Sequence, residues 1–200
     1  MIRALGIVRE AAARVGKAVE DSLEALREGR VEQEPAFTDR MLGAIEAAMR
    51  DYRTKGVLWT AKTLTDRGRN SQERQHGADF AGVLSINVPQ FKVSKGFLAQ
   101  AKMIEPGAWM SSAEFDRMKD QCDRMLSRTP DSYVYLYSRW GVTVVPALSV
   151  VSSGIRNPHE LYSRSISRFY EEHFESFIGD RRLNAATSAV LPRRVPRLNR

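Results

Sequence analysis

Lys95-Gly96-Phe97-Leu98-Ala99-Gln100-Ala101-Lys102 is the stretch on which the fold turns. It belongs to a β-rich run from Phe91 to Met103, and a second such run, Asp79 to Ile86, precedes it across a Pro89 turn. Residues two apart on a strand share a face, so Gln100 and Lys102 converge on one spot while Ala99 and Ala101 face the other way. Upstream, Gly77-Ala78-Asp79-Phe80 puts an acid at the head of the neighbouring strand. An acid, an amide and a fixed ammonium in one place suit phosphodiester hydrolysis. A divalent ion held there polarises the phosphate and lowers the pKa of a bound water, and the lysine steadies the developing charge.

Working outward, residues 4–30 are rich in Ala, Glu, Arg and Leu, with Val15, Val19, Leu23 and Leu26 at helical spacing. Gly29 and Pro35 mark the end of that helix. A second helix is expected from Thr38 to about Arg53, capped by Thr38 or Asp39, with Met41, Leu42, Ile45, Met49 and Tyr52 on its apolar face and Glu46 bordering it. Gly56 then opens a strand over Val57–Leu64, and residues 66–76 are polar and turn-like. Ser111-Ser112-Ala113-Glu114 has capping-box spacing, ahead of a stripe of Phe115, Met118, Cys122, Met125 and Leu126. Tyr133–Tyr137 and Val142–Val145 read as two more strands. The region from His159 to about Ile178 reads as a further helix or two, with Tyr162, Ile166, Phe169, Tyr170, Phe174 and Phe177 as buried candidates. This order predicts an α/β fold, a mixed β-sheet flanked by helices with extra N- and C-terminal helices. The expected divisions are an N-terminal helix (1–36), a core (37–150), a C-terminal helical segment (151–187) and a basic, irregular tail (188–200).

The chain has 200 residues and a formal net charge of +7. The last twenty residues carry six arginines and no acid, so the remainder is nearly balanced. A local excess lies between Arg50 and Arg74, where seven Lys/Arg face three Asp/Glu. Such clusters favour phosphate backbones without reading sequence. No apolar stretch approaches the length of a membrane span, and Met1–Arg9 lacks the long apolar segment of a secretory signal. Cys122, the lone cysteine, forms no internal disulfide and fits a small core position on a helix. The expected setting is the reducing cytoplasm, away from membranes.

A helix with Glu46, then a strand, then Asp79, then Gln100-x-Lys102 resembles the PD-(D/E)xK nuclease superfamily in its variant with glutamine at the (D/E) position. The stretches Glu73–Asp79 and Lys95–Lys102 are similar to those of bacterial restriction and anti-phage defence nucleases, and the resemblance spans roughly residues 38–146. It implies a restriction-endonuclease-like sheet and a metal-dependent nuclease acting on DNA in defence. It also implies Mg²⁺ or Mn²⁺ held by Asp79, Gln100, the backbone carbonyl of Ala101 and, through water, Glu46. Lys102 would contact the attacking water or the scissile phosphate. Glu73 competes with Glu46 as the acid that completes the site. An alternative is a nuclease-like scaffold without catalysis, serving as a binding or assembly module of a defence complex.

Substrate phosphates are expected to meet Lys62, Arg67, Arg69, Arg74 and Lys95. A phosphodiester site of this kind does not by itself distinguish DNA from RNA. A small nuclease with no visible sensor would endanger its host, so control by self-association or a partner defence protein is expected, with the N-terminal helix and aromatic C-terminal helix as interfaces. His76 invites a general-base role because histidine titrates near neutrality, although a single His in this context is more often a loop residue. The aromatic residues Trp59, Tyr133, Tyr135 and Tyr137 are expected in the core, and Trp140 with them.

Overall fold

A computed structural model describes residues 2–64, 75–89 and 91–184, with side chains from residue 6 onward. A six-stranded mixed sheet runs in the order β1 to β6: β1 (Val57–Thr63), β2 (Phe80–Val88), β3 (Phe91–Met103), β4 (Ser132–Ser138), β5 (Gly141–Pro146) and the short β6 (Arg164–Ser165). Strands β1, β2 and β3 form an antiparallel meander. β3 pairs parallel with β4, and antiparallel pairings to β5 and β6 follow. The parallel pair needs a long crossover, and α3 (Ser112–Leu126) supplies it.

Alternation along β3 builds two cores. Phe97, Ala99 and Ala101 face a layer made of α1 (Ile2–Arg27), α2 (Glu34–Met49) and α5 (Ile166–Phe174). Leu98 faces the opposite layer, where α3 contributes Phe115, Met118, Cys122 and Met125 and the short α4 (Ala147–Val151) contributes Ala147 and Val150. The mixed sheet flanked by helices, expected from the order of elements, is the observed architecture. Phe97 stacks on Tyr135 and meets Phe80, Tyr133, Phe169 and His173 edge-on. Gly82, opposite Phe97 in the register, leaves room for that ring: a Cβ there would lie 2.5 Å from it. Tyr133, Tyr135, Tyr137 and Trp59 are core residues, whereas Trp140 is 83% exposed at the β4–β5 turn.

Three local expectations are corrected. The second helix begins at Glu34, four residues before Thr38, because Pro35 opens it rather than closing the one before. Proline suits the first helical turn, where its missing N–H costs nothing and its fixed φ is already helical. Tyr162 and Phe177 are exposed, since the α-helix of that region is confined to Ile166–Phe174 and its inward face is filled by Ile166, Phe169, Tyr170 and Phe174. Finally, the apolar stripe of α1, expected to offer an interface, is covered within the chain: Val8, Ala11, Val15, Val19 and Leu23 are buried against α2 and α5. No helix among the described residues is long and apolar enough to cross a membrane.

Candidate active site

Asp79 sits where β2 begins, held from both sides. Its N–H donates to the Ala99 carbonyl (2.8 Å), and its own carbonyl accepts from Leu64 N–H (2.7 Å). Gly77, two residues earlier, has φ +72 and packs so tightly on α3 that a Cβ would lie 2.2 Å from the Gln121 carbonyl oxygen. Glycine is needed there for both reasons, and the turn it makes aims the chain into β2. Asp79 therefore stands on rigid backbone.

Its carboxylate reaches across to β3. Oδ2 accepts the Ala101 N–H (2.7 Å) and the Gln100 amide Nε2–H (2.5 Å). Antiparallel pairing of β2 with β3 stops at Phe80 and Ala99, so the next outward-facing peptide of β3, at Ala101, meets the Asp79 side chain instead of a strand. The Ala101 carbonyl points the same way as its N–H and accepts a long 3.3 Å contact from Gln100 Nε2. Gln100 is buried, and its Oε1 has no hydrogen-bond partner among the described residues. An orphaned buried oxygen is costly unless something satisfies it. Turning the amide over would place that oxygen beside a carboxylate and a carbonyl, a set of hard donors that a cation reconciles.

Lys102 lies two residues on, on the same side of β3 as Gln100. Asp79, Gln100 and Lys102 all line one cavity of about 290 Å³, with Glu34, Thr38, Asp39 and Thr63 on its other wall. Glu34, in the first turn of α2, accepts Met103 N–H through Oε2 (2.8 Å) and faces Lys102 Nζ through Oε1 at 3.5 Å. Both side chains of this ion pair are about a quarter exposed, so its own contribution to stability is below about 1 kcal/mol. Its effect is positional, since it clips the end of β3 to the start of α2 and holds the ammonium at the cavity. Asp39 is a second acid on the wall and accepts from the Thr63 hydroxyl (3.2 Å). The Gln33-Glu34-Pro35 helix start is the sequence signal that points to Glu34.

Other expected residues lie elsewhere. Glu46 does not line the cavity; its Oε1 accepts the Ala61 N–H of edge strand β1 (3.0 Å), a donor the sheet leaves unpaired. Lys95, expected on DNA, is 2% exposed. Its Nζ donates to the carbonyls of His173 and Ile178, the latter at 2.6 Å. Strand alternation places Lys95 on the inward face with Val93 and Phe97, and burial lowers its pKa to about 8 against the pull of Asp131. His76 is buried with Nδ1 unpartnered among the described residues, and burial with the charges of Arg128 and Lys62 lowers its pKa to about 4. It is neutral at pH 7, a weak base, and outside the cavity. Lys62 is half-buried on β1. Glu73, Arg67, Arg69 and Arg74 lie outside the described residues, as does the basic tail.

A resident Mg²⁺ or Mn²⁺ asks for hard oxygens, one or two carboxylates and several waters. With the Gln100 amide turned over, its oxygen, the Asp79 carboxylate and the Ala101 carbonyl would offer donors of that kind with a single charge between them. Among the described residues no three His, Cys, Asp or Glu side chains gather as a metal cage.

No family model matches this chain, and neither does any curated protein. Among solved structures it is similar to the MspJI restriction endonuclease in complex with a 27-mer oligonucleotide, at 19% identity and a TM-score of 0.33. The match covers 70% of this chain and 28% of that one, so the chain spans little more than a quarter of that enzyme's length.

Proposed function

We propose that the protein is a metal-dependent nuclease that hydrolyses DNA phosphodiester bonds at the Asp79–Gln100–Lys102 cavity. The observation that carries the reading is the convergence of these three side chains on one cavity, where the Gln100 amide lies against the Asp79 carboxylate and the Ala101 carbonyl with its own oxygen left unpartnered among the described residues. Asp79, Gln100 and Ala101 would hold Mg²⁺ or Mn²⁺. A bound ion of this kind supplies charge stabilisation at phosphorus and a water of lowered pKa.

The chain's own residues do the remainder. Lys102 offers up to three N–H donors; with Glu34 holding one side, the others are available to a non-bridging phosphate oxygen or to the attacking water. In-line attack forms the new P–O bond as the bond to the leaving sugar oxygen breaks, and the ammonium offsets the charge gathered on the equatorial oxygens. Ala101 N–H fixes Asp79, which keeps the carboxylate from swinging onto Lys102. Lys62 and the basic residues Arg67, Arg69 and Arg74 are proposed to engage flanking phosphates. The sequence resemblance supports a role in anti-phage or restriction-type defence, with activity controlled by self-association or a partner protein. A monomer in solution that cleaves efficiently on its own would remove the need for such control.

A second reading, a binding module without cleavage, is favoured by one observation: the site gathers a neutral amide where a second acid would strengthen metal binding. Cleavage of plasmid and linear DNA in Mg²⁺, Mn²⁺ and EDTA separates the two. Metal-dependent cleavage lost in Asp79→Ala and Lys102→Ala supports the nuclease. DNA binding with no cleavage in any metal supports the binding module.

A further inference from the structure

A second cavity, about 440 Å³, opens beside the first and shares Glu34 and Lys102 with it. Its other lining residues include Trp109, Glu114, Arg117 and Gln121. Trp109 lies in the segment between β3 and α3 and is 62% exposed, an arrangement that burial does not explain. The charges balance, two acids against two bases, so the cavity is a poor receptacle for a bare phosphate. One of the acids is already committed: Glu114 Oε2 accepts the N–H (3.0 Å) and hydroxyl (2.6 Å) of Ser111 as the reciprocal half of the α3 capping box. Those bonds lower its pKa and keep it ionised on the cap. Arg117 engages the Ala113 carbonyl only weakly, through Nε at 3.4 Å. The amide of Gln121 offers a donor and an acceptor together.

An aromatic face, a planar cation and an amide around a neutral volume are what a nucleobase needs. Bases stack on indole or guanidinium planes and present mixed donor and acceptor edges. A base inside a duplex is not available for this, whereas an unpaired or extruded one is. Resting on the nuclease reading of the adjoining cavity, we propose that the Trp109 cavity takes one unpaired base from the strand whose phosphate lies at Lys102. The preferred substrate is then a strand with unpaired nucleotides beside the cleavage point, rather than a continuous duplex. The shared residues Lys102 and Glu34 set the two pockets side by side, so base and scissile phosphate belong to neighbouring positions of one strand.

The test is fluorescence anisotropy of a labelled twelve-nucleotide oligothymidylate and of a blunt duplex of equal length, in EDTA, with the full chain. Loss of the stacking platform in Trp109→Ala is expected to weaken single-strand binding about tenfold. Trp109→Phe should retain most of the affinity, and duplex binding should not change. Trp109 is an exposed side chain, so the variants are expected to fold, and equal melting temperatures check this. The proposal is overturned if the wild type does not bind the single strand, if Trp109→Ala binds it normally, or if single-strand and duplex affinities fall together. Because binding is read without metal, a failure of catalysis leaves this result standing.

Discussion

Replacing Lys95 by methionine separates a structural role from a nucleic-acid role. In the folded chain this ammonium is 2% exposed and its pKa is lowered from 10.5 to about 8 by burial. A lysine whose folded pKa lies below its unfolded one makes the unfolded chain the better proton binder. Stability therefore rises as pH climbs through the window between the two values. The charge penalty is about 3 kcal/mol at pH 7.5 and about 2 kcal/mol at pH 9, a gain of about 1 kcal/mol from this group alone. Above pH 9 the buried hydroxyls of Tyr133, Tyr135, Tyr137 and Tyr170, whose pKa values burial raises, reverse the trend as their unfolded forms ionise. Methionine fills similar volume and needs no donor. The two carbonyls left behind keep other partners, Ser176 N–H for His173 and His173 Nδ1 for Ile178. Lys95→Met should thus lie within about 1 kcal/mol of the wild type at pH 7.5, because relief from burying a charge offsets the lost charge-assisted bonds. Urea unfolding at pH 7.5 and 9 should show the wild type gaining about 1 kcal/mol more than the variant, with DNA affinity equal in both. A variant that binds DNA several-fold more weakly, with the same pH dependence of stability as the wild type, would refute the reasoning.

Acid should destabilise the fold through two histidines: burial lowers His76 to about 4 and His173 to about 3, so the unfolded chain takes up protons first. Between pH 7 and 5 each should remove about 2 kcal/mol, read by urea unfolding, and His173→Phe should flatten the slope. Gly77→Ala places a Cβ on the Gln121 carbonyl at a positive φ, so we expect a loss of about 3 kcal/mol in thermal or urea unfolding, and cleavage lost with it as Asp79 shifts. Glu34→Ala removes the acceptor for Met103 N–H and the anchor of Lys102; single-turnover cleavage should fall about tenfold, with stability down by about 1 kcal/mol. Glu34→Gln, which can still accept from Met103, should fall less.

Much of the fold was legible. β3 runs from Phe91 to Met103 as its apolar alternation indicates, and α3 starts on the Ser111–Glu114 capping box. Both signals are local and strong. The site was legible in part. Asp79, Gln100 and Lys102 share a cavity because strand alternation and antiparallel pairing carry them there. Glu34 was missed since Pro35 reads equally as a stop or a start, and only packing of α2 on the β3 end decides between them. Glu46 borders an apolar face in sequence, but the unpaired Ala61 N–H that captures it depends on which strand forms the edge. Lys95 looked like a surface charge although its period-2 position matched Val93 and Phe97; hydrophobicity alone does not anticipate a lysine capped by two carbonyls.

Anomalous diffraction from crystals grown with Mn²⁺ tests the central claim most directly. The expected result is a single strong peak about 2.1 Å from an Asp79 carboxylate oxygen, with the Gln100 amide oxygen and Ala101 carbonyl completing the protein ligands. A peak that persists in Asp79→Ala, or density at this cavity that stays featureless while Mn²⁺ binds elsewhere, would contradict it.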